Sequence, residues 1–322
     1  MEVSVPFDSR PPAIAVVPDG VHRPLWSVMI PTFNCAKYLQ QTLESVLAQD
    51  QGSDQMQIEV VDDYSTTDDP KTVVEEVGKG RVGFHRKTKN EGAIANFNTC
   101  IQRSRGHLLH ILHGDDYVLP GFYQRLAEEA QLHPDVSLMA VRVFYVDEEG
   151  VISGVGPRLP RLENGSRLVE DFFYETPIQF AGIVVRRDFY EKKGGFIPAL
   201  VHTADCEMWA RATGLAGGLV TREVLACYRL LTGNDSGRLA RTGENLRDCD
   251  RLNQLFAERY PEFDCKRGRQ RVLDTALSQA RRFSETGDSE AAKVNQDYWK
   301  KNAPVSLRSR RFAKTIAQSI LR

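Results

Sequence analysis

Two pairs of adjacent aspartates, Asp62-Asp63 and Asp115-Asp116, each stand at the end of a short apolar run, IEVV before the first and HLLHIL shortly before the second. Neighbouring carboxylates repel each other and stay ionised only beside a cation or strong hydrogen-bond donors. At 115/116 a bound metal would supply that charge; the alternative is that one aspartate caps the helix starting near Pro120. The continuation Tyr64-Ser65-Thr66 after the first pair is also ordinary turn chemistry. Asp205 opens a helix containing Glu207, Met208 and Trp209, where it is either a cap or a base. Glu207 points to a different side of that helix, so the two cannot work as one carboxylate pair. His110 and His113 sit in or just after the strand that precedes Asp115, as metal ligands or as hydrogen-bonded supports.

The elements that must position these groups are legible in the periodicity. LWSVMI reads as a strand running into Pro31-Thr32-Phe33-Asn34, and Leu39, Leu43, Val46 and Leu47 then fall on one face of a helix. IEVV is the next strand, Val73, Val74 and Val77 mark a helix, VGFH a strand, 93–103 a helix and 107–112 a strand. Alternation at this spacing predicts a doubly wound α/β domain with a mainly parallel sheet. Ligands of such sheets bind beyond the carboxyl ends of the strands, which puts both acidic pairs on one rim. A helix to about Leu132, a long strand over 136–146, a turn at Glu149-Gly150 and a mixed segment including FAGIVV follow. Beyond about Ser236 strand signals stop and three or four amphipathic helices are expected. The chain thus divides into a flexible or extended arm with five prolines over 1–24, the α/β domain over 25–235, and a helical carboxy-terminal appendage over 236–322.

Composition narrows the function classes. The 322 residues, 41% of them hydrophobic, suffice for a substantial core. With 42 basic against 43 acidic side chains there is no global field of the kind that marks a nucleic-acid binder. Six scattered cysteines (35, 100, 206, 227, 249 and 265) have no zinc or redox spacing and read as reduced thiols. The start has no signal-peptide pattern and no apolar stretch approaches the roughly 20 residues that span a bilayer, so cytoplasmic residence is expected. The Asn-x-Ser triplets at Asn164 and Asn234 then carry no meaning. Gly78-Lys79-Gly80-Arg81-Val82-Gly83 fits GxGxxG but leads from helix to strand, the reverse of a pyrophosphate-binding turn, and reads as a plain loop.

Taken together, SVMIPTFNCAKYLQQTLESVLAQ, IEVVDDYSTTD and NEGAIANFNTCIQRSRGHLLHILHGDD resemble the amino-terminal half of family-two inverting glycosyltransferases of the GT-A fold. FAGIVVRRDFYEKKGGF and TADCEMWARA are similar to that family's acceptor-side strand, Gly-Gly-Phe loop and catalytic-base helix, so the likeness covers roughly residues 25 to 235 in the expected order. The resemblance implies that Pro31, Thr32 and Asn34 belong to the nucleotide pocket and that Asp63 accepts a hydrogen bond from the donor's base. A uracil imide N–H suits a carboxylate, which favours UDP. It further implies Asn90, Gly92 and Asn98 near the nucleotide, Asp115 and Asp116 holding ribose and a Mn2+ or Mg2+ ion, and Asp205 as the base. Two departures stand out: His113 occupies the first acid of the usual Asp-x-Asp, and Tyr64 replaces a frequent glycine. The Gln-x-x-Arg-Trp motif of processive synthases is absent from the sequence, so one sugar per event is expected, on a carbohydrate or lipid-linked acceptor of surface-glycan synthesis.

Two rival activities fit parts of the pattern. Acidic pairs on a parallel-sheet rim also serve Mg-dependent phosphoryl transfer, although no later Lys and Ser/Thr set completes that site. His113 also suits a catalytically degenerate sugar-nucleotide-binding module. From Tyr298 onward seven basic residues (Lys300, Lys301, Arg308, Arg310, Arg311, Lys314, Arg322) accompany an apolar stripe of Phe312, Ile316 and Ile320. Residues 304–322 would either lie on the inner face of an anionic membrane or pack on the domain or a second subunit of a homo-oligomer.

Overall fold

The computed structural model describes residues 7–159, 162–163, 165–174, 177–214, 217–231, 233 and 235–305. The readings of the basic tail beyond residue 305 and of Asn164 and Asn234 lie outside them. Two compact units divide the chain, Met1–Leu231 and Thr232–Arg322.

The first unit begins with the alternation the sequence predicts: β1 (Trp26–Thr32), α1 (Ala36–Leu47), β2 (Met56–Asp62), α2 (Pro70–Gly78), β3 (Gly83–Arg86), α3 (Ala93–Arg103) and β4 (Leu108–Ile111). There follow β5 (Tyr117–Val118), α4 (Phe122–Leu132), β6 (Leu138–Val146), β7 (Ile152–Val155), β8 (Leu162–Glu163), α5 (Gly165–Tyr174), a 3-10 turn Phe180–Gly182, β9 (Ile183–Arg186), α6 (Arg187–Lys193), α7 (Ala204–Thr213) and β10 (Gly218–Arg229). Every residue of β1 and β2 is buried, as expected for strands covered by helices on both faces. In α1 the buried Leu39, Leu43 and Val46 form the stripe that faces the sheet. Asp69 caps α2 by accepting from Lys71 N–H, with Pro70 in the first turn where its missing donor costs nothing.

The sheet order is β3-β2-β1-β4-β9-β6-β10-β5, with β7 beside β6 and β8 beside β10. Pairing is parallel through β3, β2, β1 and β4 and again between β6 and β10. β9 runs antiparallel between β4 and β6, so the sheet is mixed around a mostly parallel core. The sequence leaves β10 unread for a physical reason: its register against β6 shifts at Val220/Val224 and again at Val224/Ala226, which breaks the period-2 pattern of a regular strand.

The proline-rich stretch expected to be an arm outside the fold is extended but packed on this unit. Ile14 and Val17 are buried, and Gly195 N–H donates to Pro12 O at 2.9 Å. The second unit holds α8 (Asp235–Thr242), α9 (Glu244–Arg259), α10 (Cys265–Glu285) and α11 (Ser289–Asn302). Buried Leu246, Leu252, Leu255 and Phe256 give α9 its apolar face. No helix among the described residues is long and apolar enough to cross a membrane.

Candidate active site

The carboxyl ends of β1, β2 and β4 are joined by their loops. Thr32 O accepts from Asp63 N–H at 2.9 Å, and Pro31 O accepts from Gly114 N–H at 3.2 Å. Asn34, at φ 51, accepts at its side-chain Oδ1 from Thr66 and Thr67 N–H (2.8 and 3.1 Å), while its backbone N–H donates to Ser65 Oγ. It therefore ties the β1 loop to the β2 loop. A Cβ at Gly114 would lie 2.8 Å from Cys35 Sγ and 3.2 Å from Thr32 Oγ1, so the acidic loop after β4 presses directly on Thr32.

The first acidic pair splits in role. Asp62 is fully buried and accepts from Ser65 N–H and Oγ, with Arg86 at 3.4 Å; it is a turn device. The Asp63 carboxylate, 2% exposed, accepts from Glu91 N–H at 3.1 Å and Gly92 N–H at 2.8 Å and pairs with the buried Lys87 at 2.8 Å. Asp63 thus holds the 87–92 loop, whose turn needs Gly92 at φ 88. Asn90 is exposed on that loop. Asn98 faces elsewhere: its amide donates to Phe196 O at 2.9 Å and accepts from Phe196 N–H at 2.8 Å.

The second pair belongs to a cluster. Ligand atoms of His113, Asp115 and Asp116 lie within 4.8 Å of one another. Asp115 is half-buried, whereas Asp116 is buried with Oδ1 accepting from Arg229 N–H at 2.8 Å. Asp116 Oδ2 and His113 Nε2 are buried without a hydrogen-bond partner among the described residues. Burial and then the neighbouring Asp115 charge push the Asp116 carboxyl well above the usual carboxylate range. Burial pulls the His113 imidazole down, opposed by Asp115 and Asp205. The orphaned Asp116 Oδ2, 4.0 Å from His113 Nδ1 and beside the half-open Asp115 carboxylate, fits a divalent cation that would satisfy it and relieve the repulsion. His110 is different: it is fully buried between Tyr123 Oη and Ala181 O, with its pKa pushed down to about 3 by burial, and it supports β4.

Asp205 lies on the first turn of α7, with Oδ1 accepting from Cys206 N–H at 2.8 Å. Its charge reaches His113, and Tyr228 feels Asp116, Asp115 and Asp205 together, the burial effect on that phenol being larger still. An aromatic cluster links His113 to α7. His113 stacks on Phe97 (5.1 Å, 10°) and lies 4.6 Å from Phe180, which meets Trp209 of α7 edge-on at 5.0 Å. Burial raises the Asp205 carboxyl, and His202 and Cys206 N–H oppose the shift. Glu207 faces away toward Arg211, which it holds through both oxygens at 2.9 Å.

Sequence reasoning missed Arg229, Thr42 and Lys87. Arg229 is buried and donates to Asp115 O, Asp147 O, Glu148 O and Gln41 Oε1. Thr42 Oγ1 donates to Gly114 O and Asp116 O (3.0 and 2.7 Å), pinning the acidic loop to α1. No periodicity marks such residues; a lone arginine ending an irregular strand is the nearest signal.

The rim of the mixed α/β sheet carries an acidic loop whose His113, Asp115 and Asp116 could hold a cation. Residues 27–193 match the model of glycosyl transferase family 2, and the chain belongs to that family. Its sequence is 26% identical over 256 residues to the uncharacterized protein MT1568 of Mycobacterium tuberculosis (strain CDC 1551 / Oshkosh), spanning 74% of this chain and 78% of that one. Among solved structures, S. aureus TarS 1-349 in complex with UDP-GlcNAc aligns with a TM-score of 0.58 at 16% identity, over 80% of this chain and 72% of the other. The mannosyltransferase PcManGT from Pyrobaculum calidifontis, in complex with GDP-Man and Mn2+, aligns at 0.52 and 16% identity over 98% and 84%. At such identities the likeness establishes the GT-A fold.

Proposed function

We propose that this glycosyltransferase moves one sugar at a time from a UDP-linked donor to a hydroxyl of a carbohydrate or lipid-linked acceptor, with inversion, in surface-glycan synthesis at the cytoplasmic side. What supports the reading is the His113–Asp115–Asp116 cluster, with Asp205 near enough for its charge to act on His113 and Tyr228. Asp205 removes the acceptor hydroxyl proton as that oxygen attacks the anomeric carbon, while the nucleoside diphosphate departs from the opposite face of the sugar; the new bond then has the inverted configuration. His113, Asp115 and Asp116 would hold Mn2+ or Mg2+, whose role is to neutralise charge growing on the departing diphosphate. An imidazole among the ligands favours Mn2+ over Mg2+. Pro31, Thr32, Asn34, Asp63, Asn90 and Gly92 frame the nucleotide side. Asp63 and Asn34 act there chiefly through the loops they fix, and Asn98 acts through the acceptor-side loop.

A thermal-shift screen of UDP, GDP and their sugars with and without Mn2+ tests the donor side, since a ligand at a hundred times its Kd stabilises by about 2.7 kcal/mol. The best donor is then offered to a panel of alkyl glycosides, and the anomeric configuration of the product is read by NMR. A retained configuration refutes the mechanism. Nucleotide binding with neither transfer nor donor hydrolysis under any metal replaces it with a binding module.

A further inference from the structure

The segment Gly194–Phe196 leads from α6 toward the Asp205 helix and is gripped from three directions. Asn98 of α3 makes its paired hydrogen bonds to the Phe196 backbone. Arg211 of α7, held by Glu207, donates to the carbonyls of Lys193, Gly194 and Gly195 at 2.8, 3.1 and 2.8 Å. The third grip comes from the amino-terminal stretch, where Pro12 O accepts from Gly195 N–H. Both glycines are there for close approach. A Cβ on Gly194, at φ +82, would stand 2.7 Å from Pro11 Cβ and 2.8 Å from Pro12 O, and one on Gly195 would stand 2.3 Å from Asn98 Oδ1. The stretch is itself anchored, by buried Ile14 and Val17 and by Arg187 Nη2 donating to Ala15 O at 3.2 Å.

We infer that residues 11–17 form a strap that positions the Gly194–Phe196 loop, and through it the Asp205 helix, for the incoming acceptor; the inference rests on the glycosyl-transfer reading above. Phe196 transmits the restraint because its ring packs against Phe97, which stacks on His113, and against Trp209 of α7. A Gly-Gly pair is the most conformationally free dipeptide the chain can use, so a loop built on it keeps one geometry only when its backbone is tied from outside. A base must stay within hydrogen-bond reach of the hydroxyl, and a displacement of about 1 Å costs on the order of a hundredfold in rate.

Two variants test the strap: a chain lacking residues 1–17, and full-length Ile14→Ala, which loosens the strap's buried anchor and leaves the loop's own backbone untouched. The readouts are hydrogen exchange at the Gly195 and Phe196 amides, the thermal response to UDP with Mn2+, and steady-state kinetics with the alkyl glycoside that the parent glycosylates. The strap predicts faster exchange at both amides, an unchanged nucleotide response, an unchanged donor KM, and kcat/KM for the acceptor lower by roughly ten- to a hundredfold, carried by kcat as the base leaves reach of the hydroxyl. A folded variant with parental exchange and parental acceptor kcat/KM overturns the inference, as does a fall in kcat matched by an equal loss of nucleotide-binding sites, which reports only a smaller active fraction. If the truncated chain does not fold, Ile14→Ala decides by itself. A parent chain that binds no nucleotide sinks the glycosyl-transfer reading, a result visible before either variant is made.

Discussion

Replacing Asp205 by Asn removes one charge and almost nothing else. The amide keeps an oxygen to accept the Cys206 N–H bond of 2.8 Å, so the first turn of α7 stays closed. Because burial disfavours the ionised carboxyl in the folded chain, the variant is no less stable than its parent. Positioned acid–base help is typically worth about a hundred- to ten-thousandfold, or about 2.7–5.4 kcal/mol of barrier at 1.36 kcal/mol per tenfold. We therefore expect kcat for transfer to fall by that factor while UDP and Mn2+ shift the melting temperature as in the parent. The pH profile supplies a second signature. With its pKa raised by burial, Asp205 gives the parent an acid limb above the ordinary carboxylate range, activity falling as pH drops through it, and the Asn variant lacks that limb. The assay is UDP release at saturating donor across pH. A variant within about tenfold of parental turnover refutes the base assignment, and one that loses the UDP response moves Asp205 to the nucleotide half of the cleft.

Asp116→Asn relieves a buried carboxylate whose Oδ2 has no partner, so at neutral pH without metal it stabilises the chain by about 1 kcal/mol, read as a melting rise of about 2–4 °C, while abolishing the Mn2+-induced shift. The sign follows from its raised pKa: the parent loses stability as pH climbs from the unfolded carboxylate value through the higher folded one, and the variant does not; an apo variant that melts lower than the parent contradicts this. Arg229→Gln strands the carbonyls of Asp115, Asp147 and Glu148, with an expected destabilisation of about 2–4 kcal/mol in denaturant melts and weaker Mn2+ binding by calorimetry; parental Mn2+ affinity in a folded variant argues against Arg229 as the anchor of the acidic loop. His110 is neutral in the folded chain down to about pH 3 and titrates at 6.5 when unfolded. It therefore drains stability as pH falls below 6.5, by up to about 1.4 kcal/mol per pH unit, and His110→Gln should flatten that acid slope; an unchanged slope assigns the acid sensitivity elsewhere.

Much of the fold was legible because its first half is made of local signals. Largely apolar strands, one-sided helices such as α1, and Asp69-Pro70 at a helix start each announce themselves within a dozen residues. The same locality placed Asp63, Asp115 and Asp116 on one rim, since a carboxylate just after a parallel strand has nowhere else to go. The sequence by itself thus determined the alternating core, the rim and the candidate acids.

What each acid does there was decided only by chain segments far away in sequence. Asp63 is held by Lys87 and two amides of the 91–92 turn, Asp116 by an N–H that is 113 residues distant, and Asn98 by a backbone 98 residues on. A strand with two register shifts supplies Arg229, and a proline-rich stretch without periodicity supplies the contact to Gly195. Periodicity reports which face of an element is buried, but hydrogen bonds between single residues leave no periodic trace, so the partners that set charge and position at this site exist only once the chain has folded.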